Sequence, residues 1–142
     1  MTTIKDVITN KGIDVKTIPI NTEAKDAIKI MANKNIGSLL VINKGKVVGI
    51  FCEKDFSCKV VVENRLSENV PVSEIMTTPV CAIRPDQSIE DGMSIMTEKR
   101  IRHLPVMDGE MLVGLVSIGD LVKVIIKEQK NTIEQLEHYI HY

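Results

Sequence analysis

A hydroxyl and a carboxylate stand three residues apart at the end of an apolar run, in Gly114-Leu-Val-Ser117-Ile-Gly-Asp120. If a helix opens here, its free N–H groups favour an anion. Ser117 can donate to a phosphate oxygen beside them. Asp120, ionised, only accepts hydrogen bonds, which suits the paired hydroxyls of a ribose. The plainer alternative is an acid that caps a helix, worth about 1 kcal/mol. Just upstream lies Arg100-Ile101-Arg102-His103-Leu104-Pro105. Guanidinium groups match phosphate with paired donors. A solvated turn accounts for Arg100, but less well for Arg102 and His103, which adjoin an apolar strand.

The same spacing occurs earlier in the chain, in Gly49-Ile-Phe-Cys52-Glu-Lys-Asp55. Here a thiol, a poor donor to phosphate, replaces the hydroxyl. Gly37-Ser38 replaces the Arg-His pair. Asp55 keeps its capacity for ribose. Lys59 and Arg65 follow and could reach a phosphate from the side, or belong to a solvated helix face and connection.

These two sites are parts of a duplication. Shifted by 65 residues, 17–56 aligns with 82–121 without a gap, and 11 of 40 positions are identical. Ile18/Ile83, Asp26/Asp91, Met31/Met96, Leu39/Leu104, Gly49/Gly114 and Asp55/Asp120 are among them. Each copy reads β-α-β-β-α. In the first, Thr17, Ile18, Pro19 and Ile20 form a short extended piece, since a proline biases its predecessor toward extended backbone. Asn21 and Asp86 fall where N-caps are expected. Helices follow over about 23–33 and 88–99, with apolar residues at helical spacing. Two apolar runs then pair through turns at Asn43-Lys-Gly-Lys46 and Asp108-Gly109-Glu110, the latter a strong hairpin signal. A closing helix begins after Asp55 or Asp120. The expected boundaries are 11–63 and 74–130 for the copies, 64–73 for a polar connection, and 131–142 for a helical tail. Each copy alone buries too little surface to be stable, so the copies are expected to share one core.

Composition bounds the rest. With 44% hydrophobic and 26% charged residues the chain is globular. A net charge of −1 and 3% aromatic content disfavour nucleic-acid binding. No apolar stretch is long enough to span a membrane, and the first residues lack a signal-peptide core, so a cytoplasmic location is expected. Cys52, Cys58 and Cys81 are an odd number without metal or redox spacing and read as buried, reduced thiols. His138 and His141 lack a third ligand at a recognisable spacing.

The duplicated unit, with the segments "IRHLPVMDGEMLVGLVSIGDLVK" and "IGSLLVINKGKVVGIFCEKDF", resembles a cystathionine β-synthase-type (CBS) domain pair, or Bateman module. The likeness spans about Lys11 to Lys127 and is closest to short stand-alone bacterial pairs. It implies an α/β (α+β) fold of two tandem motifs packed with pseudo-twofold symmetry, plus a C-terminal helical extension. It also implies regulatory binding of AMP, ADP, ATP, NAD(H) or S-adenosylmethionine in clefts between the motifs, without catalysis and with no obligatory cofactor or metal. By the same resemblance Ile83, Ile101 and Pro105 flank adenine, Asp120 takes ribose, and Ser117, Arg102 and His103 take phosphate. In the first copy Thr17, Ile18 and Asp55 are the counterparts, with Lys59 and Arg65 beside them.

The leading expectation is therefore an adenine-nucleotide sensor of energy or redox state, acting on an unidentified regulated protein. The alternatives are a structural dimerisation module with degenerate clefts and a cysteine-based redox protein. Apolar surplus on the closing helices, including Val60, Val61, Val62, Val122 and Ile126, predicts a homodimer. The stripe Ile133, Leu136 and Ile140 either folds back on its own domain or extends that contact.

Overall fold

The computed structural model describes residues 2–12 and 15–141. In chain order the elements are α1 (Ile4–Lys11), β1 (Thr17–Pro19), α2 (Ala24–Lys34), β2 (Ser38–Asn43), β3 (Lys46–Cys52) and α3 (Glu53–Phe56). A π-helical turn (Ser57–Val61), α4 (Val72–Ile75), α5 (Ile89–Lys99), β4 (His103–Asp108), β5 (Met111–Ser117) and α6 (Ile118–Ile140) complete the chain. Two compact units emerge. One gathers residues 14–82 with 109–112, and the other 1–13, 83–108 and 113–142.

In the unit of the first copy, β1 runs parallel to β2, with Ile18 opposite Val41. β2 pairs antiparallel with β3, with Ser38 opposite Cys52. The parallel step needs a crossover, and α2 supplies it. The hairpin turns on Lys44 and Gly45, both at positive φ (51° and 77°). That geometry matches the right-handed twist of paired strands. Neither Asn21 nor Asp86 caps a helix. Glu23 precedes α2 without a side-chain cap bond. The Ala24 N–H instead donates to Val70 O at 2.7 Å. Val70 and Val72, which the sequence places in the polar connection, are buried with Ile18, Ala27, Met31, Leu39, Phe51 and Ile75 in this unit's core. The connection is thus clamped at its end, because its backbone satisfies the start of α2.

The unit of the second copy has a reduced first strand. Only Ile83 pairs, by a parallel bridge to Val106, with its N–H on Pro105 O at 3.0 Å. Ser88 is the true cap of α5. Its hydroxyl accepts from Asp91 N at 3.0 Å, and Asp91 Oδ2 accepts from Ser88 N at 3.2 Å. This reciprocal box satisfies two orphan donors at once. Ile89, Met96, Leu104, Val106, Val116 and Leu121 are buried.

Helix α1 joins the same unit and contributes Ile4, Val7 and Ile8 to its interior. Its signals are a Thr3/Asp6 capping box, apolar residues at i, i+3 and i+4, and Gly12 just past the end. Each copy is therefore packed with the helix that precedes the other. α1, ahead of the first copy, lies in the second copy's unit, and α4, ahead of the second, lies in the first copy's. From Lys127 to His141 every residue of α6 and its cap is exposed, so the tail does not fold back on its own unit. No helix among the described residues is long and apolar enough to cross a membrane.

Candidate functional site

The second-copy motif forms at the junction of β5 and α6. Helix α6 begins at Ile118, so Asp120 lies inside its first turn rather than ahead of it. Ser117 is the cap. Its Oγ accepts from Asp120 N at 3.1 Å, and Asp120 Oδ2 accepts from Ser117 N at 2.8 Å. Because Ser117 Oγ is an acceptor here, its hydroxyl hydrogen stays available for an incoming oxygen. The cap role and the ligand role are thus compatible in the same residue.

Lys11, on the last turn of α1, reaches this carboxylate. Its Nζ lies 2.7 Å from Asp120 Oδ2 and donates to Leu115 O at 3.0 Å. Burial pushes the Asp120 carboxyl up, but the hydrogen bonds from Lys11 and Ser117 outweigh it and hold it below the usual carboxylate range. Both bonds land on Oδ2; Oδ1 takes neither. Nothing in the sequence pairs residues 109 positions apart, so Lys11 escapes a motif search.

The other expected residues of this copy lie on β4, in the loop that leads into it, and at the bridge made by Ile83. Pro105 is buried in β4, and its carbonyl holds the buried Ile83. His103 opens β4. Arg102 is exposed, and its carbonyl accepts from Ile118 N at 2.8 Å, which places it at the start of α6. Ile101 is half-buried and follows the left-handed Arg100 that ends α5 (φ 56°). Gly114, a residue type that lets a ligand or a backbone approach closely, meets a side chain here instead. A Cβ there would stand 2.9 Å from Ile8 Cγ2, so the close neighbour is a side chain of α1. Gly49 has the same role toward Met76 in the other unit.

The first-copy motif has the same skeleton with different chemistry. Helix α3 begins at Glu53, and Asp55 is again in the first turn. Its Oδ2 accepts from Cys52 N at 2.9 Å, while Oδ1 accepts from Lys59 Nζ and Thr77 Oγ1, each at 3.2 Å. Lys59 also donates to Ile75 O at 2.8 Å. Both oxygens of the buried Asp55 are thus occupied within the unit. Ile18 is buried in β1 and Thr17 exposed. Arg65 is turned to its own carboxylates, Glu74 at 2.8 Å and Glu68 at 3.3 Å, rather than toward Asp55. Ser38 Oγ is buried and has no hydrogen-bond partner among the described residues.

Cys52, Cys58 and Cys81 are all free. Cys58 is exposed and the other two are half-buried, so the expectation of three buried thiols fails. Burial, then Asp55 and Glu53, push the Cys52 thiol up to about 11. It is protonated near neutral pH and a poor nucleophile there. No group of three His, Cys, Asp or Glu among the described residues could hold a metal ion.

Known proteins share this architecture. The CBS domain family profile matches residues 4–60 and 72–127. The CBS domain-containing protein CBSX3, mitochondrial, of Arabidopsis thaliana is 34% identical over 98% of this chain and 72% of its own. A solved CBS-domain protein from Burkholderia ambifaria MC40-6 superposes with a TM-score of 0.85 at 45% identity, covering 90% of this chain and 96% of that one. The CBS domain pair of MJ0100, solved with 5-methylthioadenosine and S-adenosyl-L-methionine, gives a TM-score of 0.75 at 26% identity, over 90% and 98% of the two chains. A duplicated motif, with a capped acid after the last strand of each copy, makes this chain a member of the CBS domain family, carrying two CBS motifs in tandem.

Proposed function

We propose that the protein is a non-catalytic regulatory module that binds an adenosine-type nucleotide on its second CBS motif. The observation that carries this reading is the Ser117/Asp120 pair at the start of α6. One hydroxyl hydrogen, one carboxylate oxygen and a helix N-terminus lie together, and the Arg102 carbonyl is bonded to the first residue of that helix. Asp120 Oδ1 would take ribose, Ser117 and Arg102 phosphate, and Ile83, Ile101 and Pro105 the base. AMP, ADP, ATP and NAD(H) present all three groups, and S-adenosylmethionine presents the base and the ribose. The MJ0100 pair, with its two adenosine-containing ligands, supports the class.

The first motif favours a different role. Its acid is saturated, its hydroxyl is replaced by a protonated thiol, and Arg65 is paired elsewhere. These features support a weak or structural first site.

Thermal-shift measurement with AMP, ADP, ATP, NAD, NADH and S-adenosylmethionine tests the reading. A ligand at 100 times its Kd should add about 2.7 kcal/mol of stability. A flat response to all six would sink it. Regulation further requires that the ligand distinguish two states of the module or its partner complex.

A further inference from the structure

Helix α6 carries an exposed apolar seam along its length. Val122, Ile126, Gln129, Ile133, Leu136 and Ile140 are spaced 4, 3, 4, 3 and 4 residues apart. This is the 3.5-residue period of a coiled-coil face rather than the broader stripe of a helix lying on a globular core. Exposure along the seam rises from 38% at Val122 to 54% at Ile133 and 74% at Ile140. From Lys127 to His141 every residue is exposed, so this face is left uncovered by the described residues. An isolated helical stretch of that length is marginal in water without a packing partner.

The charges bordering the seam choose the partner and its direction. The flank beside Ile126, Ile133 and Ile140 carries Lys123, Lys130 and Glu137. The opposite flank carries the uncharged Ile125, Thr132 and Tyr139. In a parallel pair of helices unlike flanks meet, so the charged edge would face an uncharged one. In an antiparallel pair like flanks meet. The sequence Lys, Lys, Glu then runs against Glu, Lys, Lys, which sets Glu137 of each copy among the lysines of the other. Flanking charges of this kind set orientation and partner choice in coiled coils.

We infer that α6 is a self-association element that pairs antiparallel with α6 of a second copy. Ile140 of one copy then packs on Val122 of the other, Leu136 on Ile126, and Ile133 on Gln129. The lone polar Gln129 lies near the centre and helps fix the register, as a single polar core residue does elsewhere. The interface is isologous, so it closes at two copies.

Sedimentation equilibrium of the full chain tests this, with far-UV circular dichroism checking that each variant keeps its fold. The parent should be a dimer at micromolar concentration. Ile133→Asp with Leu136→Asp should weaken dimerisation at least a hundredfold. Glu137→Lys puts three lysines on each charged edge and should weaken it about tenfold at low salt. The triple variant Lys123→Glu, Lys130→Glu, Glu137→Lys restores complementarity in the antiparallel pair and should dimerise like the parent. A monomeric parent, or a dimer indifferent to the two aspartates, overturns the inference. A dimer sensitive to the aspartates but indifferent to Glu137→Lys overturns its direction, and leaves a parallel pair.

Discussion

Asp120 and Asp55 show how one motif acid serves two ends. Each closes a capping box, and each holds an ammonium group from its own unit, Lys11 or Lys59. A ribose approaching Asp120 meets a carboxylate already paired at 2.7 Å. Lys11 is 40% exposed, so the pair is worth at most about 1 kcal/mol. Lys11→Met should then raise affinity for unphosphorylated adenosine about two- to fivefold in calorimetry. A fall in affinity would put Lys11 on the ligand instead. Asp120 also sets a pH dependence. Its folded carboxyl lies below the ordinary value, so its contribution is fully present above the unfolded value of about 3.9 and is lost as pH drops through the folded one. Asp120→Asn should cost about 1 kcal/mol, a few degrees of Tm, at pH 7. That gap should narrow below about pH 4. A gap constant from pH 7 to pH 3 would show that charge plays no part.

At the scale of elements, the repeat made most of the fold legible. Strands β2 to β5, helices α2 and α5, and both hairpins follow from apolar period and turn residues. Four features did not. Helix α1 is too short to stand out beside longer periodic runs. The first strand of the second copy is reduced to Ile83, since Arg84 and Pro85 follow it and proline has no N–H to donate. Val70 and Val72 look like linker until Ala24 and Thr22 are seen to bond their backbones. The fourth is Gly114, where composition points to an open approach and the fold places Ile8. Gly114→Ala should cost about 1–3 kcal/mol by overpacking. Ile8→Ala in the same chain should recover part of that loss, a coupling readable by double-mutant cycle in urea. Additive costs would mean that the two side chains do not compete. Gly49→Ala should cost less, because the flexible end of Met76 can yield.

At the scale of the whole molecule the two motifs are equal in outline and unequal in chemistry. Motif spacing showed both sites, but not that Asp55 is saturated while Asp120 keeps an oxygen uncommitted, because Thr77, Lys59 and Lys11 come from elements that only folding brings near. Calorimetry with AMP should therefore show one strong event per chain, or two clearly unequal ones. Two equal, independent sites would contradict the asymmetry. Cys52→Ser should narrow the difference by returning a hydroxyl to the first motif.

The helix exchange between the copies bears on how such a chain can be divided. A cut in the connection near Glu63 yields halves that each hold one complete motif and the wrong leading helix. Neither half alone can fill its apolar interior, because Ile4, Val7 and Ile8 leave with one fragment while the strands they cover leave with the other. The same holds for Val72 and Ile75. Two such fragments are natural complements, and the smallest autonomous piece is a circularly permuted one, with the chain's end joined to its beginning. The fused arrangement is also what a swapped pair of single-motif chains would leave behind once a linker joined them.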